Sequence, residues 1–258
     1  RKKGHFRIRL EKIKMNTLRK AWPTSLGIFI IWLIIVVGGG LLQVRGKPTQ
    51  LDELVKSQLI FGVLVAIVFL FGVITYLKWW YQVGWKGPNN PGNLRLLWLP
   101  ALLLFLLLLI VLFTGLPPAR ILLIVLLNTL MVGISEELMF RGVLFHGASS
   151  SFGIWHAVWI TAIVFGLVHT LNGLVTGDFK ASLVQAFFAG MFGVWMVALR
   201  IRLDTVIPLI IIHWLWDCMG FLTGYPEGLV LLPFSVILFF YGIWLLRSYR
   251  HEKVDLQG

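Results

Sequence analysis

The 258-residue chain is 58% apolar and only 13% charged, against about 25% charged in soluble domains, and its mean hydropathy is +0.86. A fold solvated mainly by water is excluded, and no polar stretch is long enough for a separate soluble domain. The formal net charge of +12 invites nucleic acid as a partner, but Lys and Arg cluster at the chain ends and in short loops beside apolar runs. That is the pattern of membrane topology, so a lipid bilayer and no nucleic acid is expected.

Apolar runs of the roughly 20 residues that a bilayer core requires recur from about Leu26 onwards. The expected fold is all-α, a polytopic bundle of about eight transmembrane helices. Gly, Pro and charged residues delimit spans near Ser25 to Leu42, Leu59 to Leu77, Leu94 to Phe113 and Arg120 to Phe145. Four more follow near Ile154 to Leu171, Leu183 to Leu199, Thr205 to Leu222 and Leu229 to Leu246. Residues 1–24 form a basic N-terminal segment, 25–246 one transmembrane domain, and 247–258 a basic tail. The first span follows nine Lys/Arg residues and lacks a small-residue cleavage site, so it is expected to be retained. With both termini cytoplasmic, about 18 of the 23 Lys/Arg fall on the inner side, which is the orientation that the positive-inside rule selects.

Ionisable side chains inside apolar spans are expensive and ask for a partner or a function. They are confined to the fourth, fifth and seventh spans: Glu136, Glu137 and Arg141 in ISEELMFRG, His169 in VFGLVHTLNG, and His213 with Asp217 in IIHWLWDCMG. On a helix, positions four apart share a face and adjacent positions are turned by about 100°. Glu137 and Arg141 are thus expected to pair, acid before base, while Glu136 points elsewhere without a partner. His213 and Asp217 share a face, and Phe165 sits one turn before His169. Asn128, Asn172 and Gln185 are expected as interhelical hydrogen-bond partners, and most of the twelve Trp as interfacial belt. The single cysteine, Cys218, lies in an apolar run, so neither a disulfide framework nor a cysteine metal site is available.

Two chemistries fit this constellation. In one, Glu136 deprotonates a water held by His169 while His213 and Asp217 stabilise the oxyanion. In the other, Glu136, His169 and His213 ligate a divalent metal such as zinc, with Asp217 behind them. Straight helices present a difficulty for either, because they leave His169 roughly 10 Å further out than Glu136 and His213. A single site requires strong tilting or a Ser149 to Gly153 stretch that enters the bundle.

The sequence of motifs EExxxR (Glu136, Glu137, Arg141), FxxxH (Phe165, His169) and HxxxD (His213, Asp217) resembles the CPBP intramembrane protease family, the CAAX-protease and bacteriocin-processing (Abi) group that includes the Rce1-type prenyl endoproteases. The likeness covers the fourth to seventh helices, a core of about 120–222. It implies eight helices around a cavity, with Glu136 as general base, His169 as its partner, and His213 with Asp217 as transition-state stabilisers or metal ligands. Glu137, Arg141 and Phe165 would be supporting residues. It implies an intramembrane endopeptidase of the CAAX type, whose peptide or protein substrate is reached from the membrane or the cytoplasmic side, in a bacterial plasma membrane. The prenyl enzymes have Asn where this chain has Asp217. The competing functions are a catalytically silent scaffold or immunity protein, and a proton-coupled carrier, which the lack of an internal repeat disfavours.

Overall fold

The computed structural model describes the backbone of residues 2–224 and 227–255 and the side chains of residues 21–224 and 231–249. The side chains of the basic segment before Ala21, and those of Arg250 and Lys253, lie outside the described residues. Every regular element among the described residues is helical, as a bilayer requires of a chain that must satisfy its own backbone polar groups. Helix α1 (Lys2–Val44) leads to the short α2 (Leu51–Ser57) and then α3 (Phe61–Leu77). After the 3-10 turn Pro91–Leu97 comes α4 (Trp98–Thr114). Helix α5 (Ala119–Glu136) passes without a break into a π-helical segment, Glu137–Leu144, and on into α6 (Phe145–Phe152). The chain reverses at Gly153 into α7 (Ile154–Val168), followed by a helical turn at His169–Leu171 and the short α8 (Asn172–Thr176). Helices α9 (Phe179–Leu203), α10 (Ile207–Leu222) and α11 (Glu227–Asp255) complete the bundle.

Six of these helical runs are long and apolar enough to cross a membrane, and α2 with α3, bent by 76°, makes a seventh. The other apolar helix is α10, which has 16 residues. The expected count of eight is therefore approximate. Apolar side chains such as Ile34, Val68, Phe105 and Phe113 cover the outside, where lipid is their natural solvent.

One boundary differs from expectation in a way that matters. The fourth span does not end near Phe145 but runs from Ala119 to Phe152, 34 residues in all. The Ser149–Ser151 run reads as loop in sequence, yet Ser149 Oγ (3.2 Å) and Ser150 Oγ (2.7 Å) both donate to the His146 carbonyl. Hydroxyls that fold back on the preceding turn let a helix carry them through apolar surroundings. The helix stops at Gly153, whose φ of +82° is open to glycine. No loop enters the bundle there, and residues 151–153 are exposed.

Close helix contacts rest on small residues, the device of membrane bundles. A Cβ on Gly166 of α7 would lie 2.7 Å from the Ala186 carbonyl oxygen of α9, and one on Gly39 of α1 would lie 2.5 Å from the Gly62 Cα of α3. Asn128 of α5 accepts from Ile60 N–H at 3.0 Å and donates to the Val55 (2.9 Å) and Gln58 (2.8 Å) carbonyls. It thereby satisfies the backbone left open where α2 bends into α3.

Candidate active site

The α6–α7 reversal sets the register of the site. Glu136 lies 17 residues before Gly153 and His169 lies 16 after it. In an antiparallel hairpin of two helices, arms this nearly equal bring both side chains to a similar depth. The 10 Å offset expected from a turn placed near Phe145 disappears because the turn is further along the chain.

At Glu136 the helix changes pitch. The π-helical turn of Glu137–Leu144 is a rare geometry that recurs at functional sites. It is held from outside by two buried donors. Arg200 Nε of α9 donates to the Arg141 carbonyl at 3.2 Å, and Ser25 Oγ of α1 donates to the Val143 carbonyl at 2.8 Å. Just before it, Trp32 Nε1 donates to Ser135 Oγ at 2.9 Å. Phe140 packs edge-on against both Trp32 and Phe165.

Around this turn the charged side chains come together. Arg141 Nη1 donates to Glu137 Oε1 at 2.9 Å, both residues being fully buried, and the guanidinium lies 4.1 Å from the Phe165 ring centroid. The same Glu137 oxygen accepts from His213 Nδ1 at 2.7 Å. His213 Nε2 in turn lies 3.4 Å from Asp217 Oδ2 and 3.7 Å from Glu136 Oε2. Glu136 stays outside the Glu137–Arg141 pair, as expected, and faces the far nitrogen of the histidine that Glu137 holds. The residue that orients His213 through Nδ1 is Glu137, from another helix, with Asp217 meeting the opposite nitrogen.

Glu136 Oε2 is buried with no hydrogen-bond partner among the described residues, and His169, His213, Asp217 and Arg141 all lie within electrostatic reach of it. His169 Nδ1 donates to the Phe165 carbonyl at 2.8 Å. In a neutral ring this leaves Nε2 with the free lone pair. Phe165 sits between the two histidines, its centroid 4.8 Å from that of His169 and 6.1 Å from that of His213. His169, His213 and Asp217 line a cavity of about 880 Å³, walled by Phe165, Phe192 and Trp216 and reaching out to Asp52, Lys56, Asp178 and Lys180. Asn172 Nδ2 donates to Gln185 Oε1 at 2.8 Å on the cavity flank, as expected of an interhelical pair.

Among the described residues no three His, Cys, Asp or Glu side chains are arranged to hold a metal ion. His213, a ligand in the zinc expectation, has Nδ1 committed to Glu137 and Nε2 between two carboxylates. In this arrangement the described side chains do not converge as zinc ligands.

Sequence reasoning missed Arg200, which reads as a loop residue of the basic side. It is buried, and besides Arg141 it binds the Gln82 carbonyl at 3.2 Å and Asp204 Oδ1 at 2.9 Å. The pair Arg200 and Asp204 at i,i+4 was the available signal. Lys86 completes the cluster, 2.6 Å from Asp204 Oδ2, and Asn89 donates to the same oxygen. Partial burial opposes ionisation of Asp204, but the hydrogen bonds from Lys86 and Arg200 and their charges outweigh it and hold its carboxyl below the usual range. Burial likewise disfavours the Lys86 ammonium, and bonds to Asp204 and Tyr81 override it, raising Lys86 above its ordinary value. Two of the Trp expected in the belt, Trp195 and Trp216, are buried in the wall of the bundle.

Residues 118–219 match the family model for type II CAAX prenyl endopeptidase, Rce1-like. This segment is Rce1-like. It contains every charged side chain of the site just described, from Glu136 to Asp217, and the likeness of this segment supports a CAAX-type intramembrane protease in general terms. Arg200 also falls inside the Rce1-like segment, whereas α1, α2 and α11 lie outside it. No curated protein and no solved structure matches the chain.

Proposed function

We propose that the chain is an intramembrane endopeptidase that hydrolyses a peptide bond in a peptide or protein substrate, with Glu136 as general base. The observation that carries this reading is the buried Glu136 Oε2, unpartnered beside two histidines and a cavity large enough for a peptide segment. A carboxylate without hydrogen-bond donors is costly to bury, and a water in the gap between Glu136 and His169 Nε2 satisfies both.

Glu136 takes one proton from that water as its oxygen bonds to the scissile carbonyl carbon, and His169 Nε2 accepts from the second hydrogen and orients it. The carbonyl oxygen becomes an oxyanion. Protonated His213, held by Glu137 at Nδ1, donates to it from Nε2, and Asp217 keeps that proton in place when no substrate is bound. The carbon–nitrogen bond then breaks, and the proton held by Glu136 passes to the leaving amine. Arg141 neutralises Glu137, so that the carboxylate under His213 is not itself left unpaired.

The test uses the purified protein in lipid nanodiscs with a pool of membrane-derived peptides, scoring new termini by mass spectrometry. Wild type is expected to cleave, and Glu136→Gln and His169→Ala to lose about 10²-fold or more of the rate while remaining folded. Metal analysis of the same samples addresses zinc directly: stoichiometric metal lost in His169→Ala would replace the metal-free route. Cleavage unchanged in both variants would overturn the assignment of Glu136.

A further inference from the structure

The lining of the cavity reaches one end of the bundle and includes no residue of the other end, and the two ends differ in charge. Its outer part is lined by Asp52 and Lys56 of α2, by Asp178 and Lys180 at the start of α9, and by Gly224 beyond α10. These belong to three connections that share one end of an alternating bundle. The opposite end holds a separate pocket of about 450 Å³ beside His146, Arg200 and Asp204, with no lining residue in common with the cavity. There the Arg200 side chain bonds to the Arg141 carbonyl, Val83 lies against Gly142, and the Gly84 carbonyl accepts from Val206 N–H at 3.0 Å.

This second end carries Lys78, Lys86, Arg95, Arg200, Arg202 and Arg247, and it is also the end at which α1 begins, in a sequence with nine Lys/Arg before Ala21. At the open end Arg45, Lys47, Lys56, Arg120 and Lys180 are offset by Asp52, Glu53 and Asp178, with Lys56 and Asp52 paired at 2.6 Å. Excess Lys/Arg beside spans marks the cytoplasmic side.

We propose that the cavity takes its substrate from the non-cytoplasmic side of the membrane, the substrate being a peptide segment displayed or exported there. This rests on the endopeptidase reading and differs from the access from the membrane or the cytoplasmic side expected from sequence. A cytosolic tail would meet the basic end, which the lining of the cavity does not reach. A segment on the other side meets a mouth of mixed charge leading past Phe188 and Phe221 to the histidines.

Single-cysteine variants decide the matter without any activity measurement. In a Cys218→Ser background, Lys180→Cys reports the mouth and Gly87→Cys the basic end, both positions being exposed. Intact expressing cells are treated with a membrane-impermeant maleimide, then lysed and treated again. Lys180→Cys is expected to label in intact cells and Gly87→Cys only after lysis. The reverse pattern, labelling of both in intact cells, or a Lys180→Cys that labels only after lysis would overturn the proposal. Failure of the Glu136 assignment would leave this labelling pattern unaltered, so the two readings fail separately.

Discussion

Glu137 serves two groups with one carboxylate oxygen, the Arg141 guanidinium and the His213 Nδ1–H. Its neighbour Glu136 has an oxygen, Oε2, that accepts no hydrogen bond among the described residues, and the two adjacent acids should respond to mutation in opposite ways. Removing one partner of a buried pair costs on the order of 3–5 kcal/mol. Glu137→Ala is therefore expected to lower the thermal midpoint sharply and to abolish cleavage with it. Glu136→Gln keeps the shape of the side chain and breaks no hydrogen bond, so its midpoint should stay within a few degrees of wild type while activity disappears. Thermal unfolding in detergent beside the cleavage assay separates the two, and equal destabilisation by both would contradict their division of labour. The i,i+4 spacing made the Glu137–Arg141 and His213–Asp217 neighbourhoods legible in sequence. The Glu137–His213 bond was not, because it joins two helices 76 positions apart and no local periodicity encodes such a meeting.

Among the elements, α7 and α9 approach closely enough to keep His169 at the cavity, and Gly166 permits that approach. Gly166→Leu is expected to force α9 outward, lowering both stability and activity, because the Ala186 carbonyl has nowhere to move. Gly72→Ala on α3, where an added Cβ meets nothing within 4 Å, should leave both intact or raise stability slightly by helix propensity. A cleavage assay and an unfolding curve on each variant check this, and an unaffected Gly166→Leu would refute it. The helical character and the approximate number of spans were readable from apolar runs and punctuation. The exceptions have local causes: the serines that back-bond to His146 hid the length of the fourth span, and α2, polar and only seven residues long, gave no hydrophobic signal of its own.

For the molecule as a whole, the Lys86–Asp204–Arg200 cluster ties the Trp79–Lys86 connection, the end of α9 and the π-helical turn into one block at the basic end. Asp204 has its carboxyl depressed, so its contribution to stability is present above the ordinary carboxylate range and is lost as pH falls through the lowered value. Lys86 is raised, so its contribution holds below the ordinary lysine value and is lost only as pH climbs past the raised one. Unfolding measured against pH should show a steeper acid limb in wild type than in Asp204→Asn, and coincident acid limbs would remove Asp204 from the account. The charge asymmetry that frames this block was visible in the sequence. Its anchoring of the π-helical turn was not, since Arg200 gives no sign in sequence of which carbonyl it meets.

The reversal at Gly153 also makes the hairpin a measuring device. Two arms of nearly matched length act as a folded ruler whose marks, Glu136 and His169, coincide only while the fold stays central. Adding one helical turn of four residues to a single arm, between Phe145 and Phe152, would slide one mark about 6 Å past the other and extinguish cleavage in a protein that still inserts. A matching turn added between Ile154 and Thr161 would restore coincidence and with it the reaction. A paired insertion as inactive as the single one would mean that depth is set elsewhere. On this account the hairpin can grow or shrink beyond the membrane surface by symmetrical steps, leaving the chemistry where it is.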